Sequence, residues 1–196
     1  MTTARLALFA ITLTSAAACG KKDDGGGAAG GGGGGKVADA DPAAANAAVP
    51  AELKGKLEFV PARDDDDNLA WVAPKGWKEG VIPGQVKPPE GTDFGFMTKY
   101  SVGTNCDGTC EPKDWAAVAD KVDFAQLASA GTALRDEKSS GSRTMVVAMG
   151  DRRELVMGWW KTGARHYVIC RVSMEKEIVA AAPAFEAACK ATRPGW

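Results

Sequence analysis

MVVAMGDRRELVMGWWKTGARHYVICRVSM, residues 145–174, carries three runs that read with a period of two. Met145, Val147 and Met149 share one face of a first strand, and Gly150-Asp151 turns the chain. Leu155, Met157 and Trp159 share a face of a second strand, with Val156 and Trp160 opposite. Thr162-Gly163 turns again. In the third run Val168, Cys170, Val172 and Met174 alternate with Tyr167, Ile169, Arg171 and Ser173. Three strands with short connections predict an antiparallel meander. A residue on one face of a strand never shares it with its neighbour. Trp159 and Trp160 therefore point apart, and both enter a core only if both sheet faces are covered.

The pattern changes on either side of the meander. Pro183 starts a helix in which Phe185, Ala188, Cys189 and Thr192 form one stripe. Upstream, Trp115, Val118, Ala119 and Val122 recur at helical spacing. This predicts an amphipathic helix after Pro112 that ends near Ala128, with Gly131 as a break and a strand over Thr132–Glu137. Leu57–Ala62, Leu69–Ala73 and Phe94–Val102 read as further strands. The proline- and glycine-rich segment Val81–Thr92 reads as loop. The predicted class is α+β: a single domain over 51–196, with a twisted antiparallel sheet of five to seven strands and flanking helices.

Two features resemble the PsbP-like sandwich, a twisted antiparallel sheet flanked by helices. They are Ala73-Pro74-Lys75-Gly76-Trp77 after an early strand, and Tyr167-Val168-Ile169-Cys170 feeding the last helix. The resemblance implies a non-catalytic assembly or binding module and transfers no functional residue.

The amino end has a different character. Arg5 is followed by the apolar run LALFAITLT, then by Ser15-Ala16-Ala17-Ala18 and Cys19. A positive start, an apolar stretch and small residues are the layout of a secretory signal over 1–18. The apolar run would span about 14 Å as a helix, too short to cross a bilayer. Ala16-Ala17-Ala18-Cys19 resembles the lipobox of bacterial lipoproteins, in which the cysteine is acylated and becomes the new amino terminus. The box opens with Ala16 where leucine is usual, and Ala16-Ala17-Ala18 also fits ordinary signal cleavage. Cysteine parity bears on the choice. Of Cys19, Cys106, Cys110, Cys170 and Cys189, lipid on the first leaves an even set for pairing. Residues 20–50 hold 19 Gly or Ala among 31, so 19–50 reads as a lipidated cysteine and a disordered linker. As a random coil that linker would reach about 30 Å. The implied location is the cell envelope, on the outer membrane or the outer face of the inner membrane, with the domain in the periplasm or at the cell surface. The implied partner is membrane lipid through acylated Cys19.

Charge excludes some functions. Without residues 1–18 the chain has 23 basic and 25 acidic side chains. That balance offers no clustered basic face for nucleic acid. Cys170 lies on a strand face and Cys189 on a helix face, so a helix folded back onto the strand would let them bond. Cys106 and Cys110 flank Asp107-Gly108-Thr109, which can turn tightly. Other pairings of the four remain open. Redox enzymes use a C-x-x-C pair at a helix start, and Cys106-x3-Cys110 has one residue more. Asp64–Asp67 with Asn68 lacks the register of a calcium loop. His166 is the single histidine, and no G-x-S-x-G elbow accompanies it. No cofactor or metal is implied. The sequence points to a lipid-anchored envelope protein with a non-catalytic binding or assembly role toward an envelope protein or small ligand. The alternative is a thiol–disulfide oxidoreductase using Cys106 and Cys110.

Overall fold

The computed structural model describes residues 37–64, 68–82, 84–106 and 108–196. The leader over 1–18, Cys19 and the glycine run ending at Gly35 lie outside them. Helix α1 (Ala43–Ala47) and a 3-10 turn (Ala51–Leu53) come first. Strands β1 (Phe59–Arg63) and β2 (Leu69–Pro74) follow, then β3 (Lys78–Glu79), β4 (Gln85–Lys87) and β5 (Lys99–Asn105). Helix α2 (Trp115–Ala119) continues through a π-helical turn (Asp120–Phe124) into α3 (Ala125–Ala130). Strands β6 (Thr132–Lys138), β7 (Ser142–Met149), β8 (Arg152–Trp159) and β9 (Tyr167–Met174) lead to α4 (Ala182–Lys190) and β10 (Arg193–Pro194).

The fold is α+β. Its main sheet has seven antiparallel strands in the order β3-β4-β5-β9-β8-β7-β6. The meander of residues 145–174 forms its β7-β8-β9 part. The two early strands join β10 in a separate three-stranded sheet, β1-β2-β10. Register explains the two faces. Met145 lies opposite Val156, and Met157 opposite Cys170. Met145, Val147, Val156 and Tyr167 pack beneath Trp115, Phe124 and Leu127 of the helical segment. Leu155, Met157, Val168, Cys170 and Val172 pack on the other side against the small sheet and α4. Trp160 is buried in the first cluster and donates from Nε1 to the Ser140 carbonyl, while Trp159 is half-buried against the second. Each fully buried large apolar side chain contributes about 1.5–3 kcal/mol.

Three local expectations change. The folded chain starts before Ala51, because Ala40, Ala45 and Val49 are core residues and α1 packs on α4. Alanine favours helix and glycine opposes it, so pooling the two hid α1 inside the supposed linker. Asn46 fixes this segment to β1: its Nδ2 donates to the Phe59 carbonyl and its Oδ1 accepts from the Phe59 amide. Second, the helix after Pro112 is capped by Asp114, whose carboxylate accepts from the Ala117 amide. Its π-helical turn holds one extra residue and shifts the stripe. Val122 faces solvent, 39% exposed, while Asp123, Phe124 and Leu127 turn inward. Third, the segment expected as loop after Val81 contains β4, paired with β3.

The outer edge of the main sheet, β6, is interrupted by a bulge between Ala133 and Arg135 and carries Arg135, Asp136, Glu137 and Lys138 in succession. A bulge and charges protect an exposed edge from pairing with another chain.

Candidate binding groove

A groove of about 750 Å³ opens between the small sheet and the β3-β4-β5 side of the main one. Alternation along β2 sends Leu69, Trp71 and Ala73 to one face, and all three line it. Val86 and Val102 contribute from β4 and β5. Trp77 lines it as well and is held from behind by Phe94 and Phe185, at ring-centre distances of 6.1 and 5.8 Å. At the rim, Val81 and Ile82 are 98% and 63% exposed. The polar groups of the lining are Arg63, Asp64, Glu79, Gln85 and Thr104. The lining therefore mixes apolar and polar surface, and a concavity of this size is large enough for a small ligand.

Local structure sets the groove's width. The Tyr100 hydroxyl on β5 donates to the Val72 carbonyl on β2 at 2.6 Å and joins the two sheets beside the groove. Burial pushes that hydroxyl far above its ordinary range, so it stays protonated and remains a donor. The β3–β4 hairpin is held by Gly80 N–H donating to the Gln85 carbonyl and Gln85 N–H to that of Ile82. Gly84 sits at φ +74°, and a Cβ there would lie 2.3 Å from the Val102 carbonyl oxygen. Only glycine fits so close an approach in the left-handed region.

The cysteines are paired as Cys106–Cys110 and Cys170–Cys189. Cys170 and Cys189 are fully buried and tie β9 to α4, with their Cα atoms 5.7 Å apart. Cys106 and Cys110 are half-buried. Cys110 does not begin a helix. It precedes the Asp114 cap, has φ +48°, and its carbonyl accepts from Arg165 Nε. The helix-start geometry that lowers a thiol pKa is thus absent at Cys110. His166 is half-buried with its ring 5.7 Å from that of Trp196; burial, then the Arg165 charge, hold its pKa below the ordinary value. Asp64 Oδ1 accepts from the Leu69 amide, a turn-closing role, and Asp65–Asp67 lie outside the described residues. Among the described residues no cluster of three or more His, Cys, Asp or Glu is arranged to hold a metal.

Sequence patterns missed a buried polar network. Asp123, on the π-helical turn and 7% exposed, accepts from the Tyr167 hydroxyl at 2.6 Å and from Arg171 Nη2 at 3.0 Å. Asn105 Nδ2 donates to the same hydroxyl at 2.7 Å. Burial, then the Asp123 carboxylate, hold the Tyr167 hydroxyl above its ordinary range. The buried polar atoms of this network are paired with one another, and the network ties the helix to the sheet. The groove was missed for another reason. Its lining comes from five strands distant in sequence, and its one local signal was the apolar pair Val81-Ile82 inside a turn-rich segment.

No protein-family model matches the chain, and comparison with curated proteins returns no match either.

Proposed function

We propose that the protein is a lipoprotein of the cell envelope, acylated at Cys19, whose domain binds a small ligand in the groove and performs no covalent chemistry on it. The observation that carries the binding role is the groove itself: an apolar floor with two tryptophans, about 750 Å³ in volume, with exposed Val81 and Ile82 at its rim. The resemblance to the PsbP-like sandwich points to the same class of role. The anchor reading rests on the signal-like leader, the box ending at Cys19 and the even set of cysteines that remains.

Two experiments test the parts separately. Cys19→Ser should move the protein from the membrane fraction to the soluble fraction; continued membrane association would remove the anchor reading. Mass spectrometry of small molecules that co-purify from the native envelope should find one chemical class. Thr104→Trp, which fills the groove from an exposed lining position, should abolish its retention. Retention unchanged in that variant would remove the groove.

A second reading, thiol–disulfide exchange at Cys106–Cys110, is favoured by the partial exposure of that pair beside the fully buried Cys170–Cys189. It requires turnover of a disulfide substrate that disappears in Cys110→Ser.

A further inference from the structure

We infer that the groove's ligand is a cationic amphiphile: a positively charged nitrogen group on an apolar body. This deepens the binding role proposed above and rests on it. The inference starts from the charges of the lining. Asp64 and Glu79 are acidic, and Arg63 is the single base among the described lining residues. The Arg63 guanidinium is engaged by Asp39, which does not line the groove, with Nε at 2.8 Å and Nη2 at 2.6 Å from Oδ1. Its charge is thus answered from outside, and the fixed charge left facing the groove is negative. The Asp64 carboxylate uses Oδ1 to accept from the Leu69 amide, which fixes it at the lining.

The apolar part of the lining suits the same ligand. Trp71 and Trp77 present indole rings, whose faces attract a cation and pack against the carbon atoms next to it. Leu69, Val86 and Val102 accept an alkyl or aryl body. Val81 and Ile82 add exposed apolar surface at the rim, which an alkyl chain can meet. An anionic amphiphile meets the same floor but brings its charge toward Asp64 and Glu79. A neutral one gains the floor alone. Charge complementarity therefore selects among ligands of equal apolar size.

The test uses the full chain carrying Cys19→Ser, so that no acyl group competes, in detergent-free buffer. Titration calorimetry compares dodecyltrimethylammonium, dodecanoate and dodecyl maltoside, each below its micelle-forming concentration. The cation should bind about tenfold or more tighter than the anion, equivalent to about 1.4 kcal/mol or more, with the neutral probe between. Asp64→Asn together with Glu79→Gln should erase the preference and leave the neutral probe's affinity unchanged. Asparagine keeps the acceptor for the Leu69 amide, and Glu79 is exposed, so both changes spare the fold. Glu90→Gln, an exposed acid outside the lining, should change nothing. Dodecanoate binding as tightly as the cation, or a cation preference that survives the double substitution, overturns the charge assignment and leaves the groove as a binding site. Failure of all three probes to bind overturns the groove reading and this inference with it.

Discussion

Tyr167 Oη donates a 2.6 Å hydrogen bond to Asp123 Oδ2, and through it strand β9 grips the π-helical turn on the opposite layer. Removing the hydroxyl leaves a buried carboxylate with one acceptor oxygen unserved, while Arg171 stays at 3.0 Å on the other. Tyr167→Phe should therefore lower stability by about 1–3 kcal/mol. Urea unfolding of the two proteins measures it, and a loss below about 0.5 kcal/mol would show that the bond contributes little.

The same turn makes a contrast between two neighbours on the helix. Val122 belongs to the apolar stripe of the sequence but faces water, whereas Leu127 is buried against the sheet. Val122→Glu should stay within about 0.5 kcal/mol of the parent protein. Leu127→Ala should cost about 2–5 kcal/mol. Equal losses at the two positions would mean that the helix keeps ordinary phase.

These two residues mark where the sequence was legible. The β7-β8-β9 meander could be read because a period of two is local and each strand's faces are chemically distinct. The phase of the helix could not, because one inserted residue in a turn leaves no mark in an apolar pattern. Helix α1 was hidden by the alanines it shares with the glycine-rich segment before it. The β3–β4 hairpin was hidden by Gly80 and Gly84, which read as loop residues in the sequence and serve its turn. The predicted strand and helix faces pointed to Cys170–Cys189 and the short turn to Cys106–Cys110, while other pairings stayed open until the structure placed the four. The groove has no comparable local source: Leu69, Trp77, Val86 and Val102 converge only through tertiary structure.

Gly84 gives a test of the groove's wall. Alanine there meets both an unfavourable φ of +74° and the Val102 carbonyl at 2.3 Å from its Cβ. Gly84→Ala should cost more than about 1 kcal/mol and weaken ligand retention together. Normal stability and retention in this variant would show that the hairpin adjusts at no cost.

The two disulfides should separate under reduction. Cys170–Cys189 is inaccessible in the folded protein, and Cys106–Cys110 is half-buried. A mild phosphine reductant should open the latter first, which mass spectrometry after alkylation detects. From chain entropy, loss of the short-loop bond costs about 2 kcal/mol and loss of the longer one about 3 kcal/mol. Simultaneous opening of both would contradict the difference in access.

Acid should act through three paired carboxylates. Hydrogen bonds from Arg143 hold Asp136 below its ordinary range. Burial raises Asp120 and Glu186, but bonds from Lys138 and Arg143 to the first, and from Arg135 and Lys190 to the second, outweigh it. Depressed native values mean that the unfolded chain binds protons first. The stabilisation is complete above the unfolded carboxylate range near pH 4 and is lost as pH falls through the native values. The depressed His166 adds a shallower decline that starts near its ordinary value of 6.5. The urea midpoint should thus be flat from about pH 7 to 8, dip slightly below about 6.5 and fall steeply below about 4. Arg143→Gln should flatten the steep limb; an unaltered limb would remove Arg143 from the account.

The packing of α1 on α4 and the pairing of β2 with β10 impose an order in time. A chain emerging from its amino end presents Phe59 and the strands around it long before Phe185, whose ring closes on Phe59 at 5.4 Å, has been made. The β6–β9 meander finds its partners within its own neighbourhood and can form before the distant contacts are made. The small sheet can pair β1 with β2 early, but its β10 edge and the cover of its apolar face wait for the last helix. Contacts so distant in sequence are slow to form, and apolar strands left uncovered meanwhile invite association with other chains. The early strands of this protein are therefore the part left uncovered longest on the way to the finished fold.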